Sequence, residues 1–418
     1  MSTRRVPVNA AWLFIGRTFA AAITVVIISL STHRLTFDEF GLVASTMAAG
    51  FLANTLVTFG TDTVVTRAVA AQRRDAAALS FDAVKLQLVV AAVLSGAAGV
   101  AVSLGAPALV LVQALALLPM AIVTVASAVL RGRERMDQLL VATVLGGVAA
   151  LVCVLRFFAV RTAAWIPVAS LGIGSAVTAV ITGWFATDRL RWFRDYSAPE
   201  PHEGRLSLLL RETAPFAVMV LLAAIGAQAG LLLVEFIADE PTGGYGVAVR
   251  LSEAARLIPA AAMGAFFPAM LSGLHSTQRY RRWLRWLIGY AVIATAALMI
   301  FADPINRIVF DDQPTGTPLI RILAIGLIFT VVRLAVSFEL IADGRERIVL
   351  VSAILGAAIA VIAGLLTASP FGPLGVAWSQ IAGVIGATVV LVSQRPSAAE
   401  ASPAIGMRKG LLGDRTAE

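Results

Sequence analysis

The stretch 129–148 reads VLRGRERMDQLLVATVLGGV, and 340–359 reads LIADGRERIVLVSAILGAAI. Each carries the tetrapeptide GRER, at Gly132–Arg135 and at Gly344–Arg347, just before an apolar run. A repeated basic tetrapeptide is a weak signal by itself in an arginine-rich chain. Its address makes it informative, because each copy follows the fourth apolar run of its half of the chain. A second pair of segments agrees: TFDEFGLVAS (36–45) and PTGGYGVAVR (241–250) each enter the second run of a half, with Gly41 opposite Gly246. The GRER copies are offset by 212 residues (344 − 132) and the two glycines by 205 (246 − 41). The difference falls where the short turn SLGAPA (103–108) is replaced by ADPINRIVFDDQPTGTP (302–318).

Working outward, apolar runs long enough to cross a hydrocarbon core, about 20 residues, recur along the whole chain. They are predicted near 10–32, 39–60, 84–104, 107–130, 138–160 and 165–187, then near 213–237, 245–273, 285–302, 318–341, 348–368 and 372–393. The reading is an all-α, polytopic membrane protein of about 12 transmembrane helices. Six spans return a chain to its starting side, so the halves are two parallel six-helix repeats, an arrangement that builds transporters with the path between the halves. The expected organisation is an N-terminal lobe at 1–190, a linker at 191–212 containing SAPEPHEG, a C-terminal lobe at 213–394 and a disordered tail at 395–418.

Composition supports this. Hydrophobic residues make up 59% and charged residues 14% of the 418, with a mean hydropathy of +0.87. Soluble domains hold about 25% charged residues. The net charge of +8 does not point to nucleic acid, because the basic residues are distributed by side. Arg4–Arg5, Arg131–Arg135, Arg189–Arg194, Arg279–Arg285 and Arg345–Arg347 fall on one side, against Arg34, Arg156, Arg161 and Arg307 on the other. That is the positive-inside pattern, with both termini cytoplasmic. Arg4 and Arg5 before an apolar stretch resemble a signal peptide, but a run from Ala10 to Ser31 is too long for one and reads as an uncleaved first helix. RLRWFRDY (189–196) and RYRRWLRW (279–286) read as juxtamembrane anchors before they read as docks for anionic lipid. Cys153 is the only cysteine, and His33, His202 and His275 lie far apart, so no metal site is expected. There is no GxxxxGK[ST] motif and no convergent acid/histidine set, so neither ATP hydrolysis, nor any other catalysis, nor a cofactor is expected.

Charges inside spans are costly and usually face a cavity or a partner. Arg17 lies in the first span, about 10 Å from its cytoplasmic end. Arg250, Glu253 and Arg256 recur at spacings of three in the eighth span and are read as one face. Arg333 is deep in the tenth, while Arg321 near its end can snorkel. Two readings stand. In one, these groups pair structurally, Glu253 with a neighbouring arginine and Arg333 with Glu339 or a carbonyl. In the other, Arg17, Arg250, Arg256 and Arg333 line a cationic cavity, with Glu253 as a charge partner. Arginine suits phosphate because its planar fork bonds bidentately and stays charged when buried. Pro119, Pro215, Pro259 and Pro268 free backbone carbonyls and permit bends, with Pro259 and Pro268 as gating or passive kinks.

NAAWLFIGR (9–17), FDEFGLVAS, FGTDTVVTRAVA (59–70), YGVAVRLSEAARLIPAAAMGAFFPAML (245–271) and RILAIGLIFTVVRLAVSFELIADGRER (321–347) resemble bacterial polysaccharide flippases. These belong to the multidrug/oligosaccharidyl-lipid/polysaccharide exporter superfamily. The resemblance implies two lobes forming a V around a central cationic cavity lined by helices 1, 2, 7 and 8. It implies that a polyprenyl-diphosphate-linked oligosaccharide is flipped across the bacterial cell membrane, and that polysaccharide-assembly proteins and membrane lipids are partners of a monomer. Arg17, Arg250 and Arg256 match lining positions; Arg333 does not clearly match one. The alternative is a cation-coupled drug or metabolite exporter of the same fold, which usually places an acid in the first lobe; the first helix has none. A membrane glycosyl polymerase would need a larger outer loop. A twelve-helix facilitator of the other parallel-repeat fold would need a Gly/Asp/Arg motif that TRAVAAQRRDAA lacks.

Overall fold

A computed structural model describes residues 5–73, 75–187, 205–237, 243–271, 277–310, 315–342 and 345–394. The first half folds as α1 (Arg5–Thr32), α2 (Phe37–Thr58), α3 (Thr61–Ala70), α4 (Ala76–Ser103), α5 (Ala108–Leu115), α6 (Leu117–Gly132), α7 (Met136–Val160) and α8 (Trp165–Ala186). The second folds as α9 (Arg205–Ile237), α10 (Gly243–Leu271), α11 (Thr277–Ile300), α12 (Ala302–Phe310), α13 (Gly316–Ala342) and α14 (Glu346–Ser393). No strand occurs among the described residues. The tail at 395–418, most of the expected linker and the segment 189–196 lie outside the described residues.

Ten described helical spans are long and apolar enough to cross a membrane. Two facts reconcile ten with the expected twelve. α14, 48 residues long, is two helices joined where Gly372 leaves helical geometry (φ 55°, ψ −144°) between Pro370 and Pro373. Its arms double back, since Gly356 faces Gly383 and Gly364 faces Ser379. α10, 29 residues long, stands outside the ten and carries Arg250, Glu253 and Arg256. The fourth span is broken at Ala116, between α5 and α6. Pro119 in the first turn of α6 has no N–H to return to the carbonyl four residues back, which permits the break.

Several sequence expectations need correction. The third span begins at Ala76 rather than near 84, and α3 occupies what read as a cytoplasmic loop. Arg67 and Thr63 obscured it, because polar residues lower hydropathy without stopping a helix. Its start follows Phe59 and Gly60, both at positive φ (43° and 68°), which ends α2. Gln87 Nε2 donates to Thr61 Oγ1 over 2.5 Å and ties α3 to α4. The long outer connection holds α12, whose Asp303 pairs with Arg321 at 3.1 Å, so Arg321 is partnered on the surface instead of snorkelling alone. α2 starts at a capping box: Thr36 and Glu39 exchange backbone and side-chain hydrogen bonds, contributing about 1 kcal/mol.

The GRER copies have one structural job. Arg133 Nη1 donates to Ala186 O at 2.9 Å, at the end of α8. Arg345 Nη1 donates to Gln394 O at 2.9 Å, at the end of α14. The same residue of each tetrapeptide therefore caps the last helix of its lobe, where free carbonyls and the negative end of the dipole favour a cation. The hairpins they close also correspond. Gly146, Ala150 and Gly174 pack α7 on α8 as Gly356, Ala360 and Gly383 pack the two arms of α14; a Cβ at Gly174 or Gly383 would sit 2.8 Å from the paired alanine Cβ. Helices in lipid associate by such close approach, because apolar surface alone gives no drive there.

The lobes meet by exchange of equivalent helices, α1 against α10 and α9 against α2. Their shared core draws on Ile27, Ile28, Phe40, Val43 and Ala44 of the first lobe and Leu231, Val234, Tyr245, Val247 and Ala248 of the second. The first set lies where α1 ends and α2 begins, the second where α9 ends and α10 begins. Gly246 is required there, since a Cβ would come 2.7 Å from that of Ala44. Ser45 Oγ donates to Glu235 Oε2 at 2.8 Å across the same seam. Toward the start of α1 the cores separate, one within the first lobe apart from Leu209 and one wholly within the second. Residues Trp12, Ile15 and Arg17 of α1 are exposed in this half. The halves thus form a V, closed at one end.

Candidate functional site

α10 carries the charge that distinguishes this bundle, and it presents that charge on two faces. Arg250 Nη1 bonds Glu253 Oε2 at 2.6 Å, and Gln228 Nε2 of α9 donates to Glu253 Oε1 at 3.0 Å. Gly246, which meets Ala44 of α2, lies by helical spacing on the same side of α10 as Arg250 and Glu253. Tyr245, Val249 and Arg256 instead line a pocket inside the C-lobe. The expectation that Arg250, Glu253 and Arg256 share one face is therefore corrected. A step of three residues turns a helix about 60° short of a full revolution, and two such steps carry Arg256 about 120° from Arg250. Glu253 takes Arg250 as its hydrogen-bonded partner, while Arg256 Nη2 donates to Ser252 Oγ at 3.0 Å.

The C-lobe pocket lies among α9, α10, α13 and both arms of α14, with a cavity volume of about 80 Å³. Arg333 of α13 and Gln380 of α14 join Arg256 in its wall. Arg256 and Arg333 are close enough to repel electrostatically. Arg256 Nε, Arg333 Nε and Gln380 Nε2 are buried and make no hydrogen bond. Arg333 Nε takes no part in the expected pairing with Glu339 or a carbonyl. Gly226, Gly326, Gly356 and Gly383 also line the pocket.

Arg17 projects from the exposed half of α1 and feels the charge of Arg131. Arg131, at the end of α6, is paired with Asp62 of α3 at 3.2 Å. The structure thus sets Arg17 near Arg131 at the open end of the V, Arg250–Glu253 on the side of α10 that carries Gly246, and Arg256 with Arg333 in the C-lobe pocket. Pro259 is buried, and α10 runs as helix through both Pro259 and Pro268; the side chains of Pro268 and Pro215 lie outside the described residues. Sequence reasoning missed Gln228, Gln380 and Glu235. A signal existed, because an amide or acid in an apolar run is costly unless partnered. Among the described residues, no group of three or more His, Cys, Asp or Glu is placed to hold a metal ion.

Two six-helix lobes, buried arginines and a seam of exchanged equivalent helices define a multi-pass membrane protein of the transporter class. Solved structures show the same fold. An outward-facing multidrug resistance MATE family transporter of the MOP superfamily superposes with a TM-score of 0.68 at 15% identity, covering 93% of each chain. The eukaryotic MATE transporter AtDTX14 gives 0.69 at 15% identity, over 94% of this chain and 96% of that one. The lipid II flippase MurJ in an inward closed conformation gives 0.69 at 12% identity, over 92% and 87%. No curated protein sequence matches. The family described as "Polysaccharide biosynthesis protein" matches residues 7–273, well over half of the chain, and the chain belongs to that family.

Proposed function

We propose that this protein moves a polyprenyl-diphosphate-linked oligosaccharide from the inner to the outer leaflet of a bacterial cytoplasmic membrane, with both termini in the cytosol, for cell-surface polysaccharide biosynthesis. The observation that carries this reading is the family match over residues 7–273, which spans α1, α2, α9 and α10, the helices that join the lobes. The chemistry of those helices supports it. Arg17 has no acidic partner among the described residues, and a diphosphate entering the V would meet it with Arg131 nearby. Arg250 waits deeper, held in place by Glu253 until a stronger anion competes for its fork. Arg256 and Arg333 act from the C-lobe pocket, through the field they add to the seam. The lobes rock about the closed end, and the basic turns at the open end keep that end in the cytosol. An inside-negative potential favours outward movement of an anion, by about 2.3 kcal/mol per charge per 100 mV.

The test is purified protein in liposomes carrying a fluorescent polyprenyl-diphosphate sugar, with outer-leaflet arrival as readout. Transport above protein-free liposomes is expected, without ATP, and at least tenfold slower in Arg17→Ala plus Arg250→Ala. Equal rates with and without protein, or full activity of that double variant, reject the reading. Movement of organic cations in place of the lipid would favour the exporter alternative.

A further inference from the structure

Three residues that line one cavity in the C-lobe each carry a buried side-chain nitrogen that bonds to nothing. These nitrogens are Arg256 Nε, Arg333 Nε and Gln380 Nε2. A buried polar group without a partner costs about 1–3 kcal/mol, more when charged. Three such costs in a single small cavity form a pattern, and the pattern is all donors: no residue lining the cavity is an acid. Arginine cannot shed its proton to escape the problem. Glu253 attracts Arg256 electrostatically, but one carboxylate cannot balance Arg250, Arg256 and Arg333 together. Glu253 is committed to Arg250 at 2.6 Å and to Gln228 at 3.0 Å, so that pair is neutral. Arg256 and Arg333 remain as two mutually repelling cations.

We propose that the C-lobe pocket is a binding site for a small inorganic anion, held between Arg256 and Arg333 with Gln380 as a neutral donor. The size of the cavity sets the class. About 80 Å³ is several times the ~10–15 Å³ that admits one water. It takes an ion such as chloride or phosphate with a water or two. The anion brings together α10, α13 and the second arm of α14, so its occupancy sets how rigidly α10 is held against the seam with α2. The site does not depend on what the V carries.

The experiment uses purified full-length protein without lipid-linked sugar. Sodium gluconate is exchanged at constant ionic strength for sodium chloride, bromide or phosphate, and the melting midpoint is followed. The midpoint is expected to rise with the logarithm of the bound anion's concentration, and the anion giving the larger rise identifies which of the two sizes fits. Radioactive chloride or phosphate should bind at about one per chain. Arg333→Gln should abolish both signals. Gln380→Leu, which removes one neutral donor, should weaken apparent affinity about two- to tenfold. Arg161→Gln, an exposed arginine of the other lobe, should leave both unchanged. Equal midpoints in gluconate and in every small anion overturn the proposal. So does a response that survives in Arg333→Gln, an apparent affinity unchanged in Gln380→Leu, or a response lost equally in Arg161→Gln.

Discussion

Glu253→Gln removes a charge and keeps a shape, which makes it the sharpest probe of α10. The carboxylate accepts from Arg250 at 2.6 Å and from Gln228 at 3.0 Å, with side-chain exposures of 15% for Arg250 and 28% for Glu253. Hydrogen bonds to charged groups contribute about 1.5–3 kcal/mol. The amide can still accept from one donor, so the expected loss is about 2 kcal/mol, equivalent to roughly 30-fold in the folding equilibrium. The coupling with Arg250 is measurable in a double-mutant cycle of wild type, Arg250→Gln, Glu253→Gln and the double variant, by chemical unfolding in a fixed detergent. The interaction energy should exceed about 1 kcal/mol. A functional readout accompanies it: freeing the Arg250 cation should tighten binding of a lipid diphosphate while slowing its release. Additivity of the two changes within about 0.5 kcal/mol would refute the pairing. Unchanged affinity would refute the placement of Arg250 on the substrate path.

Arg133→Ala and Arg345→Ala should each cost about 1 kcal/mol of stability, as lost C-terminal caps of α8 and α14, and Lys should restore part of it; no loss in either variant removes the shared structural role of the two turns. Single cysteines at Arg133 and Arg345 in a Cys153→Ser background should resist an impermeant thiol reagent in intact cells and react after lysis, and reaction of either in intact cells overturns the topology. Gly246→Val should splay the closed end of the V, since even a Cβ meets Ala44 at 2.7 Å. Transport should fall at least tenfold with the protein still inserted, and normal transport would show that the seam is not a pivot.

Much of this protein is written in local windows of sequence. Spans, the two-half organisation and the address of GRER were all legible, because burial in lipid is a property of about 20 consecutive residues. The break between the spans predicted near 348–368 and 372–393 falls beside the turn at Gly372. The charged residues of α10 were found for the same reason: arginine in an apolar run is conspicuous. α3 and α12 were not legible, since short amphipathic helices at a surface lack that signature. Nor was the division of the arginines. Arg250 and Arg256 differ by six residues, and only the packing of α10 decides that one lies on the side that carries Gly246 and the other lines the C-lobe pocket. Likewise Gln380 stands 47 residues beyond Arg333 and 124 beyond Arg256 in sequence (380 − 333 and 380 − 256), and nothing in any of the three segments announces that they share a cavity. Hydropathy is local, so the order of residues alone shows which segments cross the membrane. Only the tertiary structure decided what they are buried against, because a helix turns about 100° per residue and its neighbours come from distant parts of the chain.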